Sequence, residues 1–145
     1  MDLSVITIGW LFLLTTLSIL VAISDLISRK IGNGLCVSIA LNAVAVALIF
    51  SGSVSVIVPV TIFLLGICLS QLGWLGGGDS KLLAAYAIAI DPQNIPLTLF
   101  MTTIVGGLVS VIYLVINRFN HKTTEGVPYG VAIAIGGLLG VLASI

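Results

Sequence analysis

From Leu3 to Ile23 the chain contains no charged residue. Wound as an α-helix at 1.5 Å per residue, that run covers about 30 Å, the thickness of a bilayer's hydrocarbon core. Runs of this kind recur along the sequence: 59% of its 145 residues are hydrophobic and 7% are charged, with a mean hydropathy of +1.33. An ordinary soluble domain carries charge on roughly a quarter of its residues, so the chain is expected to reside in lipid. A cleaved secretory signal is the rival reading of the first run. It is disfavoured because no Lys or Arg precedes the run, and Ser24-Asp25 and Arg29-Lys30 follow it in place of a small-x-small site.

Polar or turn-rich punctuation falls at residues 25 to 33, 51 to 53, 73 to 81, 91 to 96 and 117 to 126. It divides the chain into six predicted helices with approximate cores at residues 5 to 24, 35 to 50, 54 to 72, 80 to 90, 97 to 116 and 127 to 144. The segments are continuously apolar, whereas a membrane barrel strand alternates over about ten residues. The expected fold class is therefore all-α: a single integral-membrane domain, residues 1 to 145, with six transmembrane helices. Arg29 and Lys30 lie in the first loop, Lys81 at the end of the third, and Arg118 and Lys122 in the fifth. With six crossings these loops share one side, which the positive-inside rule makes cytoplasmic, leaving both termini on the non-cytoplasmic side.

Five cations balance five acids, so no basic stripe exists for a nucleic-acid backbone, and such a partner is excluded. Cys36 and Cys68 sit in apolar runs and read as small core residues. His121 stands alone in a polar loop, far from any cluster with metal-ligand spacing. Neither a metal nor another cofactor is expected. Ser24 and Ser80 adjoin acids but have no histidine with which to form a nucleophilic triad.

Two acids stand out. Asp25 follows the first apolar run directly, and Asp79 follows Gly76, Gly77 and Gly78 at the start of the fourth helix. Both occupy a boundary where a carboxylate is costly to desolvate. Each has a structural explanation: Asp79 as the N-cap of a helix beginning at Ser80, and Asp25 as a helix end paired with Arg29 four residues on. The topology nevertheless brings both to one face. The fourth segment offers only about 16 Å of helix against about 30 Å of hydrocarbon, so either the glycines continue inward or the bilayer thins, with Asp79 slightly sunk in a wet cavity. Two carboxylates in one wet site can hydrolyse a peptide. One, ionised, takes a proton from the attacking water, while the other, protonated, donates to the developing oxyanion.

The segment Asp25-Leu-Ile-Ser-Arg29-Lys-Ile31-Gly-Asn33 resembles the D-x-x-x-R-x-I-P-N element of type IV prepilin peptidases. Gly76-Gly-Gly78-Asp79-Ser-Lys81-Leu82 resembles their G-x-G-D-x-K-L element, and Val127-Pro128-Tyr129-Gly130 their closing segment. Gly32 stands where the family usually has proline. The resemblance covers essentially the whole chain and implies that Asp25 and Asp79 are a catalytic pair, with Gly76, Gly78, Lys81, Arg29 and Asn33 in support. Size is closest to the small form associated with tight-adherence, or Flp-type, pili. The resemblance further implies a prokaryotic inner-membrane enzyme facing the cytoplasm. Its substrate would be a prepilin with a short basic leader, a glycine at the cleavage point and an apolar helix. It would cleave without methylating, since larger members carry an insertion with paired C-x-x-C motifs that this chain does not have. A homo-oligomer is compatible with this reading.

The supporting residues also have plain structural roles. Lys81, two positions after Asp79, projects about 200° away on a helix and either positions the loop or snorkels. Arg29 serves Asp25, a substrate carboxylate or topology alone. Asn33 either binds the Asp25 loop or caps the second helix. Pro128 and Tyr129 suit a helix start and an interface, and Asn42 is expected to bond across to another helix. The competing function is a small transporter or an assembly subunit without proteolytic activity. Transporters place ionisable groups near the midplane, whereas here they gather at one side.

Overall fold

The computed structural model describes residues 3–50, 52, 54–119 and 127–145. The described residues form six α-helices, α1 (Leu3–Ser28), α2 (Asn33–Phe50), α3 (Ile57–Gln71), α4 (Gly77–Ala87), α5 (Ile95–Phe119) and α6 (Tyr129–Leu142), with a single 3₁₀ turn at Pro92–Asn94 before α5. Among them are no strands. Three segments, Val5–Ser28, Asn33–Phe50 and Pro92–Arg118, are long and apolar enough to cross a membrane. The 117 to 126 loop, with His121, Lys122 and Glu125, lies beyond the described residues apart from its first three positions, as does Asp2.

Helices α1, α2, α4 and α6 pack in a closed ring, each against the next, while α3 lies outside on α4 and α5 outside on α6. The ring encloses Leu14, Val21, Ile39, Val46, Leu82, Tyr86, Ile133 and Val141, all almost wholly buried. Large apolar side chains cover the outside, among them Phe12, Leu64, Phe100 and Ile112. A helical bundle with such a surface is solvated by lipid chains.

Lipid offers no hydrophobic drive for helices to associate, so close packing does most of the work. Gly136 and Gly140, one turn apart on α6, receive Thr102 and Thr98 of α5. On another face, Gly137 receives the ring of Tyr86, whose Cγ would lie 2.5 Å from an added Cβ. The Tyr86 hydroxyl in turn hydrogen-bonds Ser18 of α1, so a fully buried phenol keeps a partner. Away from the acids, Asn94 Nδ2 donates to the Ala143 carbonyl (3.0 Å) and to Ser144 Oγ (3.1 Å), holding the end of α6 to the 3₁₀ turn.

Several sequence expectations are corrected. The fourth helix begins at Gly77 rather than Ser80 and ends at Ala87. The first continues past Asp25 to Ser28, because nothing in Asp25-Leu-Ile-Ser breaks a helix. Cys36 is buried as expected, but Cys68 is exposed, since α3 lies outside the ring. Asn42 does bond across, from Nδ2 to the Trp10 carbonyl of α1 at 3.4 Å.

Candidate active site

Asp25 belongs to a buried stripe of α1. Leu14, Ser18, Val21 and Asp25 are spaced by four, three and four residues and face the ring interior. The carboxylate is only 5% exposed. Its Oδ2 accepts the Gly130 backbone N–H at 2.7 Å, at the first turn of α6, where unpaired N–H groups and the helix dipole favour a negative charge. A side chain at Gly130 would push its neighbours aside, because an added Cβ would lie 2.8 Å from Asp25 Oδ2 and 3.0 Å from Ile31 Cδ1.

Asp79 reaches the same place from the other side of the ring. Helix α3 ends in a Schellman motif: Gly73 (φ +77°) donates to the Ser70 carbonyl at 3.1 Å, and Trp74 to that of Leu69 at 3.0 Å. The chain then runs to Gly76, extended at φ −70°, ψ 140°, which is the N-cap of α4. Asp79 is thus not the N-cap but the third residue of the helix, and its carboxylate folds back over the cap. An added Cβ at Gly76 would lie 2.6 Å from Asp79 Oδ2, and the Gly76 N–H faces that oxygen, half of the reciprocal arrangement of a capping box. The eleven residues of α4 reach about 16 Å, so Asp79 lies outside the three membrane-length segments. Burial and, secondarily, the nearby Asp25 charge push its carboxyl up from 3.8 to about 6.

Both carboxylates line one cavity of about 760 Å³, with Arg29, Lys30, the Gly73–Asp79 segment, Val127 and Tyr129 around it. Ile31 ties its walls together. Its Cβ lies where a Cβ at Gly78 would come within 3.3 Å, and its Cδ1 abuts Gly130, so one side chain sets α4 and α6 at a fixed distance from the end of α1. No role for Ile31, Gly130 or Tyr86 was legible in the sequence, although Ile31 and Gly130 stand inside the motifs.

The supporting residues divide. Lys81 points away from Asp79, as its spacing requires, and its Nζ donates to Asn33 Oδ1 at 3.0 Å, linking α4 to the start of α2. Asn33 therefore neither caps α2 nor binds the Asp25 loop. The Gly32 carbonyl takes the Leu35 and Cys36 N–H groups in its stead. That loop is held by Ser24 Oγ, which donates to the Lys30 carbonyl at 3.0 Å. Arg29 does not form the expected hydrogen-bonded pair with Asp25 among the described residues. Its backbone is left-handed, φ +51°, and its N–H caps α1 by donating to the Asp25 carbonyl at 3.0 Å. Once a residue leaves helical φ/ψ, the four-residue proximity rule no longer applies to it. The guanidinium lies over the Tyr113 ring of α5, 5.1 Å from its centroid.

The model of the type IV leader peptidase family matches residues 12–111, a span that includes both aspartates. A prepilin leader peptidase/N-methyltransferase of Legionella pneumophila is 34% identical over 65 residues, covering 45% of this chain and 22% of that protein. A protein of the same description from Aeromonas hydrophila is 31% identical over 68 residues, 47% of this chain and 23% of that one. The matched stretch thus spans less than a quarter of these curated relatives. No solved structure matches the chain.

Proposed function

Because the chain belongs to the type IV leader peptidase family, we propose that it is a membrane aspartyl endopeptidase that removes the short basic leader of a Flp-like type IV prepilin. The observation that carries this reading is the single cavity lined by Asp25 and Asp79. Asp25, holding a fixed backbone N–H, is the carboxylate and takes a proton from the attacking water. Asp79, whose carboxyl burial and the Asp25 charge push up to about 6, holds the proton and donates it to the carbonyl oxygen. As the tetrahedral intermediate collapses, Asp25 passes its proton to the leaving amine and Asp79 recovers its own.

The chain crosses the inner membrane six times with its termini outside, the fourth crossing beginning after Asp79, and the cavity opens at the cytoplasmic boundary beside Arg29 and Lys30. A prepilin suits that depth, with its basic leader in water and its apolar helix against the bundle. Cleavage alone is the proposed activity. Co-expression with a Flp-type prepilin, followed by mass spectrometry of the pilin N-terminus, tests it. The expected product lacks the leader and carries a free α-amine; an uncut pilin refutes the peptidase, and a methylated one refutes cleavage alone.

The pair is active with one proton. Asp79 holds that proton below about pH 6 and loses it above, leaving two carboxylates and no acid. The kcat/KM of the wild-type chain on a leader-bearing peptide, which reports the free enzyme, is therefore expected to fall as pH rises beyond about 6. A rate that climbs from pH 6 to 9 contradicts this assignment.

A further inference from the structure

Arg29 occupies a conformation in which glycine is the ordinary residue. A left-handed position after a helix closes the αL cap equally well with glycine, whereas a side chain there is strained by the contact of its Cβ with the backbone. A cation is kept at that position, φ +51°, and its guanidinium is engaged at 5.1 Å by the face of Tyr113, well within cation–π range. Arg29 also lines the cavity of the two acids, and among the described residues Asp25 is hydrogen-bonded by the Gly130 N–H and not by Arg29. An arginine directly on either carboxylate would favour the doubly ionised pair and expel the proton that the chemistry needs.

We propose that Tyr113 is a positioning residue of the dyad: its ring holds the Arg29 guanidinium off Asp25, so that the two aspartates keep their shared proton. The inference rests on the peptidase reading above. The other groups around the pair are few. Lys30 adjoins Arg29 in the same turn, and Tyr129 of α6 lines the cavity. Cys36 of α2 is buried and does not line the cavity, and the Lys81 ammonium is tied to Asn33. Arg118 is exposed in the last turn of α5 and does not line the cavity. His121, Lys122 and Glu125 lie outside the described residues. Arg29 is thus the cation whose position a neighbouring ring controls.

The test is the pH profile of cleavage by the purified full chain in detergent, on a synthetic peptide carrying a basic leader and an apolar helix. In Tyr113→Leu the freed guanidinium is expected to move the alkaline limb down by about one pH unit. The loss is then about tenfold on the limb and small on the plateau. Tyr113→Phe, which keeps the aromatic face, holds the wild-type limb. The double variant Arg29→Gln/Tyr113→Leu returns the limb to its original position whatever its absolute rate. If Tyr113→Leu does not fold, Tyr113→Met takes its place. A limb that stays put in Tyr113→Leu, even with a lowered rate, overturns the proposal, as does a double variant whose limb remains shifted. A wild-type chain that leaves the peptide uncut overturns the peptidase reading itself, and this inference falls with it.

Discussion

Asp79→Asn and Asp25→Asn are each expected to reduce prepilin cleavage by at least about 10³-fold, since each removes one of the two groups proposed to move protons in the transition state. The folded chain should survive both changes. Asparagine has the shape of aspartate, and at position 25 its carbonyl oxygen can still accept the Gly130 N–H now bound at 2.7 Å. At position 79 an amide removes a carboxyl that burial and Asp25 already disfavour as a charge. Thermal unfolding in detergent should therefore place both variants at or near the wild-type midpoint while mass spectrometry finds the leader intact. Processed pilin from either variant would mean that the pair is not the catalytic apparatus.

Gly130→Ala is expected to lower the cleavage rate by about 10- to 100-fold, through geometry alone. The new methyl would stand 2.8 Å from Asp25 Oδ2, 2.9 Å from its Cγ and 3.0 Å from Ile31 Cδ1. Either the carboxylate swings away and loses its backbone donor, or the start of α6 retreats and widens the cavity. A misplacement of about 1 Å at reacting groups can cost two orders of magnitude. Steady-state kinetics on the leader peptide should show the loss in kcat, with Gly107→Ala as the control, since nothing lies within 4 Å of a Cβ at Gly107. Equal rates in the two variants would mean that the Gly130 contact does not set the position of Asp25.

The acids were legible because a carboxylate at an apolar boundary demands an explanation, and of the three acids that the expected topology put on one side, Asp25 and Asp79 stood at such a boundary while Glu125 belonged to a polar loop. Their surroundings were harder to read. The Asp25–Arg29 pair follows from helical spacing, yet the helix stops at Ser28 and Arg29 adopts a left-handed cap. Asp79 reads as a cap because it follows three glycines, but two of them, Gly77 and Gly78, are already helical. Asn33 reads as a cap for the same local reason, and its true partner, Lys81, lies 48 residues away. Each of these errors extends a local rule across a contact that only folding creates.

The sequence by itself determined that this chain is a helical membrane protein and how many helices its described residues make, and it pointed to Asp25 and Asp79. Those properties depend on the length of uncharged runs and on the cost of burying charge, both of which are local. Which face of each helix turns inward was decided by tertiary structure alone. In a helix apolar on every side, no polar stripe separates a lipid-facing residue from a buried one, so the exposed Cys68 and the buried Cys36 look alike. Close approach at Gly130, Gly137 and Gly140 made the choice. It turned the Leu14–Ser18–Val21–Asp25 stripe inward and set the carboxylate of Asp25 on the first turn of α6, where two distant aspartates share one cavity.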